Sequence, residues 1–281
     1  MNGMNKGPII SVVELQQVLS RNGCVLLDAS IPAVGSSQPL LSEFIPGSIR
    51  FDFDQDICNP HSDLPHMLPT PQQFAIQVAA LGVSNDSEIV VYDRIGMFAA
   101  PRAWWMFKVM GHDNVRVLDG GLPAWKRAGF EVTDHLAAPN VLGNFIASFQ
   151  SHMVVGVDEV IMALTDENTT ILDARSPGRF SGRESEPRPH LRCGHMPGAS
   201  NMPFAELLKE GKMKSLPDLK EIFAPYCNHR IILSCGSGVT ACIVALAAEI
   251  AGCRDWAVYD GSWAEWGREV GNLPVSREDN F

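Results

Sequence analysis

The chain has 281 residues, 46% of them hydrophobic and 19% charged, which is enough apolar material for about two packed domains. No run of eighteen apolar residues is present, so the sequence holds no candidate for a membrane-spanning helix. The formal net charge of −10 argues against sequence-independent nucleic-acid binding, which runs on basic patches, but leaves room for small anionic substrates held by a local group of arginines.

In chain order, residues 11–20 (SVVELQQVLS) have helical apolar spacing, and 24–29 (CVLLDA) have the length and content of a buried strand. Helical patterning returns at 70–82 (TPQQFAIQVAALG), a strand at 88–93 (EIVVYD) and a helix at 100–111 (APRAWWMFKVMG). Residues 131–155 mix Pro, Asn, Gly and Ser without a period and read as a linker region. Beyond it come a helix at 157–164 (VDEVIMAL), strands at 170–174 (TILDA) and 230–234 (RIILS), and a helix at 239–252 (VTACIVALAAEIAG).

The chain repeats itself once. VLLDAS (25–30) matches TILDAR (170–175), and FIPGS (44–48) matches HMPGA (195–199). EIVVYD (88–93) matches RIILSC (230–235), and RVLDGGLPAW (116–125) matches AVYDGSWAEW (257–266). Four blocks in one order, at offsets between 141 and 151 residues, predict two copies of one domain: 1–135 and 156–281, joined by a linker at 136–155. Buried strands alternating with helices predict α/β domains, each a mainly parallel sheet flanked by helices, with chemistry beyond the carboxyl ends of the strands.

After strand 230–234 stand Cys235, then Gly236, Ser237 and Gly238, then a helix opening near Val239. A helix N-terminus offers unpaired N–H groups and the positive dipole end, and glycines let the backbone curl so that N–H groups converge on one anion. Such surroundings favour a thiolate, and Ser237 and Thr240 add hydroxyl donors. The alternative is a helix entry capped by Ser237 around a buried, inert cysteine.

CGSGVTA (235–241) closely resembles the active-site loop of 3-mercaptopyruvate sulfurtransferases, the two-domain members of the rhodanese superfamily. The resemblance runs from about Ile9 to Val275. It includes SDLPHMLP (62–69), APRAWWMF (100–107), DGGLPAW (119–125), GRFSGRESEPRP (178–189), HMPGA and YDGSWAEW (259–266). It implies two tandem rhodanese-like domains, no metal or organic cofactor, and a Cys235 persulfide. Phosphatases of this fold carry Cys-x5-Arg, whereas position 241 is Ala241. Thiosulfate-preferring rhodaneses resemble CRKGVT, whereas this loop is neutral at Gly236 and Ser237.

The resemblance further implies that Arg179 and Arg188 hold the substrate carboxylate and carbonyl, a task suited to forked guanidinium groups, with Arg183 a lesser third candidate. Asp54 and His66, from the first half of the chain, would form a proton relay with Ser237, with Asp52 and Asp56 the neighbouring alternatives to Asp54. Backbone groups of Gly236, Gly238, Val239 and Thr240 would cradle the persulfide. Sulfur would pass from 3-mercaptopyruvate through Cys235 to cyanide, thioredoxin or a small thiol. The first repeat has Asp93 in the place of Cys235; a carboxylate stores no sulfur, so that domain is expected to be catalytically silent and to form one wall of the cleft. A thiosulfate sulfurtransferase is the near rival, and a non-enzymatic rhodanese-like binding module the distant one.

Other residues take structural readings. His195 is expected to order its own turn, and Trp104, Trp105, Trp263 and Trp266 to pack in the core or at the domain interface rather than form a binding box. The seven cysteines are odd in number and lack CxxC spacing, which argues against a disulfide scaffold and a zinc site. The opening segment has no uninterrupted apolar stretch, so a reducing cytoplasm is expected.

Overall fold

A computed structural model describes residues 7–21, 23–32, 42–139 and 141–278; the outer ends of the expected domains, 1–6 and 279–281, lie outside the described residues. The first half contains β1 (Ile9–Ile10), α1 (Val12–Leu19), β2 (Val25–Asp28), β3 (Ile49–Arg50) and α2 (Pro71–Ala80). It continues with β4 (Ile89–Tyr92), α3 (Ala100–Val109), β5 (Val115–Leu118) and α4 (Gly121–Arg127). The second half contains β6 (Val154–Val155), α5 (Val157–Ala163), β7 (Thr169–Asp173), α6 (Pro177–Ser181), β8 (Ser200–Asn201), β9 (Leu208–Lys209) and β10 (Lys212–Met213). It closes with α7 (Leu216–Phe223), β11 (Arg230–Ser234), α8 (Ala241–Ala251), β12 (Trp256–Tyr259) and α9 (Ser262–Trp266).

Each half forms one five-stranded sheet, in the order β1-β5-β4-β2-β3 and β6-β12-β11-β7-β8. Every pairing in both sheets is parallel. The two orders are the same once each strand is matched to its repeat, so the duplication seen in the sequence is a duplication of topology. Parallel strands buried on both faces need continuous apolar runs, and all four residues of β4 and of β12 are buried.

Local chemistry starts and stops the helices. Ser11 and Thr70 each accept the N–H three residues on, while Glu14 and Gln73 return a side-chain oxygen to the cap N–H. Helix α8 is apolar nearly throughout, nine of its eleven residues are buried, and it ends at Gly252 with φ +99°. The four tryptophans read as core residues are fully buried.

The chain divides into two compact units, and neither is one continuous stretch. The first holds 1–58, 69–150 and 210–213; the second holds 59–68, 151–209 and 214–281. Segment 59–68 closes on itself through Asn59 N–H to the Met67 carbonyl (2.8 Å). It is pinned to the rest of its unit by Leu68 N–H to Asp260 Oδ2 (2.8 Å) and by the Arg268–Asp63 ion pair (2.9 Å). In the first unit, Met213 N–H donates to Asp119 Oδ1 (2.9 Å).

One expectation is corrected. Cys227 and Cys253 are joined by a disulfide, with Cα atoms 4.5 Å apart. Cys227 stands just before β11 and Cys253 just after α8, and a helix returning antiparallel to its strand brings those two ends together. The other five cysteines are not disulfide-bonded.

Candidate active site

Cys235 is the first residue beyond β11, a central strand of the second sheet, and only 1% of it is exposed. The loop that follows is held from one side by the turn into α9. Ser262 Oγ accepts the N–H groups of Cys235 and Gly238, both at 3.1 Å, and donates to the Tyr259 carbonyl at 2.8 Å. Trp263 and Ala264 N–H donate to the carbonyls of Cys235 and Gly236 at 3.0 and 2.9 Å. Gly238 takes φ +74°, a left-handed conformation that suits glycine. Cys242 is fully buried and its thiol donates to the Gly238 carbonyl at 3.1 Å. Among the described residues, the backbone N–H groups of Gly236, Ser237, Val239 and Thr240 make no hydrogen bond within the protein.

The first unit shows how a loop at the matching place in the repeat holds an anion. There Asp93 follows β4, and its carboxylate collects five backbone N–H groups. Oδ1 accepts from Ile95 (3.0 Å) and Gly96 (2.6 Å), and Oδ2 from Phe98 (2.8 Å), Ala99 (2.8 Å) and Ala100 (2.9 Å). The loop is a nest of donors around one negative charge, supplied by the chain itself. At the matching place in the second unit a cysteine begins the loop and four N–H groups stay available, so a negatively charged sulfur beyond Cys235 would find donors there.

The expected cationic residues lie in the same unit. Arg179, on the short helix α6, is 24% exposed and pairs with Glu186. Its Nη2 sits where it would be 2.9 Å from a Cβ on Gly236, so the guanidinium packs on the bare backbone of the Cys235 loop. Arg188 Nη2 donates to His66 Nε2 at 3.3 Å, which places the imidazole hydrogen on Nδ1 in the neutral ring. His66 is buried and holds φ +62°. Arg183, the lesser candidate, is exposed and paired with Glu278 at 3.0 Å. A cavity of about 370 Å³ opens on Arg188, Pro65, His190 and Arg268.

The proton-relay residues divide differently from expectation. His66 belongs to the second compact unit with Cys235, Ser237 and both arginines, carried there by segment 59–68. Asp54 stays in the first unit, in a turn organised by Asp52, which accepts the N–H groups of Asp54 and Gln55 (3.0 and 3.1 Å) and pairs with Arg50 (2.9 Å). Asp56 lies in the same turn, its N–H donating to the Asp52 carbonyl at 3.1 Å. His195 is buried, with Nδ1 2.8 Å from the Phe180 carbonyl and its ring stacked on Phe180.

Sequence reasoning missed Ser262, which staples the loop, and Glu186, which grips Arg179. The signal for Ser262 was the repeated DGG/DGS block, read only as a domain marker.

A family model for the rhodanese-like domain matches residues 11–128 and 157–269. The 3-mercaptopyruvate sulfurtransferase of Escherichia coli K12 is 40% identical over 258 residues, covering 89% of this chain and 91% of the relative. The thiosulfate sulfurtransferase of Cricetulus griseus is 39% identical over 256 residues, covering 87% and 85%. The crystal structure of SseA from Escherichia coli, described with 3-mercaptopyruvate sulfotransferases, superposes with a TM-score of 0.82 at 35% identity, covering 92% of this chain and all of that one.

Proposed function

The chain belongs to the rhodanese-like family, with the domain present twice, and from that premise we propose that it is a sulfurtransferase whose sulfur donor is 3-mercaptopyruvate. The observation that carries the donor assignment is Arg179 packed on Gly236. The loop itself brings no cationic side chain at positions 236 or 237; positive charge reaches it from a neighbouring helix, on a guanidinium suited to a carboxylate.

In this reading Arg179 and Arg188 hold the carboxylate and keto oxygens of the donor. The Cys235 thiolate attacks the donor sulfur and forms the S–S bond of a persulfide. The carbon–sulfur bond breaks, its electron pair leaves with pyruvate enolate, and protonation at that carbon gives pyruvate. The N–H groups of Gly236, Ser237, Val239 and Thr240 receive the terminal sulfur, while Ser262, holding the N–H groups of Cys235 and Gly238, keeps this loop in shape. His66, bonded to Arg188, and Ser237 supply the proton path within the second unit. A thiol such as thioredoxin or a small thiol, or cyanide, then removes the outer sulfur. The first unit, its loop filled by Asp93, carries no sulfur. We place the reaction in the cytoplasm, the compartment expected from the opening segment, with the Cys227–Cys253 bridge as a feature unusual for a reducing environment.

The deciding experiment assays purified protein in parallel with 3-mercaptopyruvate and with thiosulfate, cyanide as acceptor and thiocyanate as readout, beside Cys235→Ser. Clear preference for 3-mercaptopyruvate, lost in Cys235→Ser, is the expected result. Preference for thiosulfate would favour the second reading, to which the hamster relative lends weight. Activity with neither donor would leave a binding module.

A further inference from the structure

Glu186 lies in the segment that carries Arg179 and Arg188, yet the mechanism above gives it no task. Its side chain is 2% exposed. Oε1 accepts from Arg175 Nη1 at 2.7 Å and from Arg179 Nε at 3.3 Å, and Oε2 accepts from Arg179 Nη2. Arg175 is itself fully enclosed. Asp173 binds its Nε and Nη2, the nearest contact being 2.6 Å, and the Gly194 carbonyl accepts from Nη2 at 2.8 Å. Its guanidinium lies 4.2 Å from the centre of a Trp263 ring. Two buried carboxylates and two guanidinium groups thus form a chain, Asp173–Arg175–Glu186–Arg179, with no net formal charge. Arg175 and the two carboxylates on it are locked, because leaving any of these charges alone in the interior is strongly unfavourable.

Arg179 is the one partly exposed member of this chain, 24% against 2% or less for the others. A long side chain at a surface samples many rotamers, and a bidentate partner fixed in the core removes that freedom before a ligand arrives. Glu186 takes the edge formed by Nε and Nη2, and Nη2 is also the atom nearest Gly236. Of the five guanidinium hydrogens two go to Glu186, leaving both on Nη1 and one on Nη2 for another acceptor.

We propose that Glu186, anchored through Arg175, is the positioning residue that holds Arg179 over Gly236 in the orientation that receives the donor carboxylate. The proposal rests on the reading of Arg179 as a carboxylate binder. Glu186 touches no donor in this account and acts through Arg179.

A double-mutant cycle between Glu186→Gln and Arg179→Gln tests it, read as KM and kcat for 3-mercaptopyruvate, as pyruvate Kd by calorimetry, and as thermal midpoint. Glu186→Gln alone is expected to raise KM and pyruvate Kd about tenfold while kcat stays within about threefold. On the Arg179→Gln background the same change should shift either by less than about twofold, since coupled residues are not additive. A tenfold effect on both backgrounds, or a lowered thermal midpoint with KM unchanged, would confine Glu186 to supporting Arg175 and overturn the proposal. Glu186→Asp, which keeps the charge but withdraws it by one methylene, is run through the same cycle. Its KM rise should likewise vanish with Arg179→Gln, so the test survives if the Gln variant fails to fold. Failure of the underlying reading looks different: Arg179→Gln alone would then leave KM and pyruvate Kd unchanged, and the proposal would fall with it.

Discussion

Ser262 holds φ +48°, an uncommon backbone state for a residue with a Cβ, and is fully buried. That conformation comes with a hydroxyl that bridges two N–H groups of the Cys235 loop and one carbonyl. Ser262→Ala leaves two buried donors without an acceptor and is expected to cost about 2 kcal/mol of stability, with about a tenfold loss of turnover. Unchanged kcat in a stopped-time assay would sink the assignment of Ser262 to loop shape. Asp93 serves the first unit in a parallel way, with five N–H groups on one carboxylate. Asp93→Ala is expected to destabilise that unit by about 3 kcal/mol or more in urea titration, while Cys235 keeps its reactivity. Arg188→Gly should depress use of 3-mercaptopyruvate far more than use of thiosulfate, because a carboxylate loses its fork; equal losses on both donors would take Arg188 out of donor selection.

Among the elements, the turn between α3 and β5 contains a pH-sensitive point. His112 is 3% exposed, its Nε2 is 3.0 Å from the Ser87 carbonyl, and its ring packs against Phe107 and Phe145. Burial pushes its pKa below the usual value near 6.5, so the fold favours the neutral ring. A depressed value contributes stability above the unfolded pKa and loses it as pH falls through the folded one. Thermal stability of the first unit is therefore expected to decline below about pH 6.5, and His112→Gln, which can still donate to Ser87, should flatten that decline. Identical slopes for the two proteins from pH 7.5 to 5 would show that other groups govern it.

On the scale of the whole molecule, the Cys227–Cys253 bridge closes 26 residues that contain β11, the Cys235 loop and α8. Constraining an unfolded loop of this length is worth about 3 kcal/mol by chain-entropy reasoning. Reductant should therefore lower the unfolding midpoint of wild-type protein and leave that of Cys227→Ser unchanged; a midpoint indifferent to reductant in both would show that the bridge adds nothing in solution. The chain is acidic overall, yet its site gathers Arg175 and Arg179, both paired with carboxylates, and Arg188, bonded to His66, so bulk composition said little about local recognition.

The amino-acid sequence by itself determined the duplication, the strands and helices of each half, and the position of Cys235 at a strand-to-helix turn. These follow from short-range rules: apolar periodicity, capping residues and glycine placement act within a few residues and repeat visibly in VLLDAS/TILDAR and EIVVYD/RIILSC. The boundaries were less legible, because segment 59–68 sits in the first half of the chain but bonds to Asp260 and Arg268, about two hundred residues on. Pairings such as Glu186 with Arg175 and Arg179, Ser262 with Cys235, and Cys227 with Cys253 were likewise decided only by the tertiary structure. Each depends on where a strand end, a helix end and a turn meet in space, and no local pattern encodes that meeting.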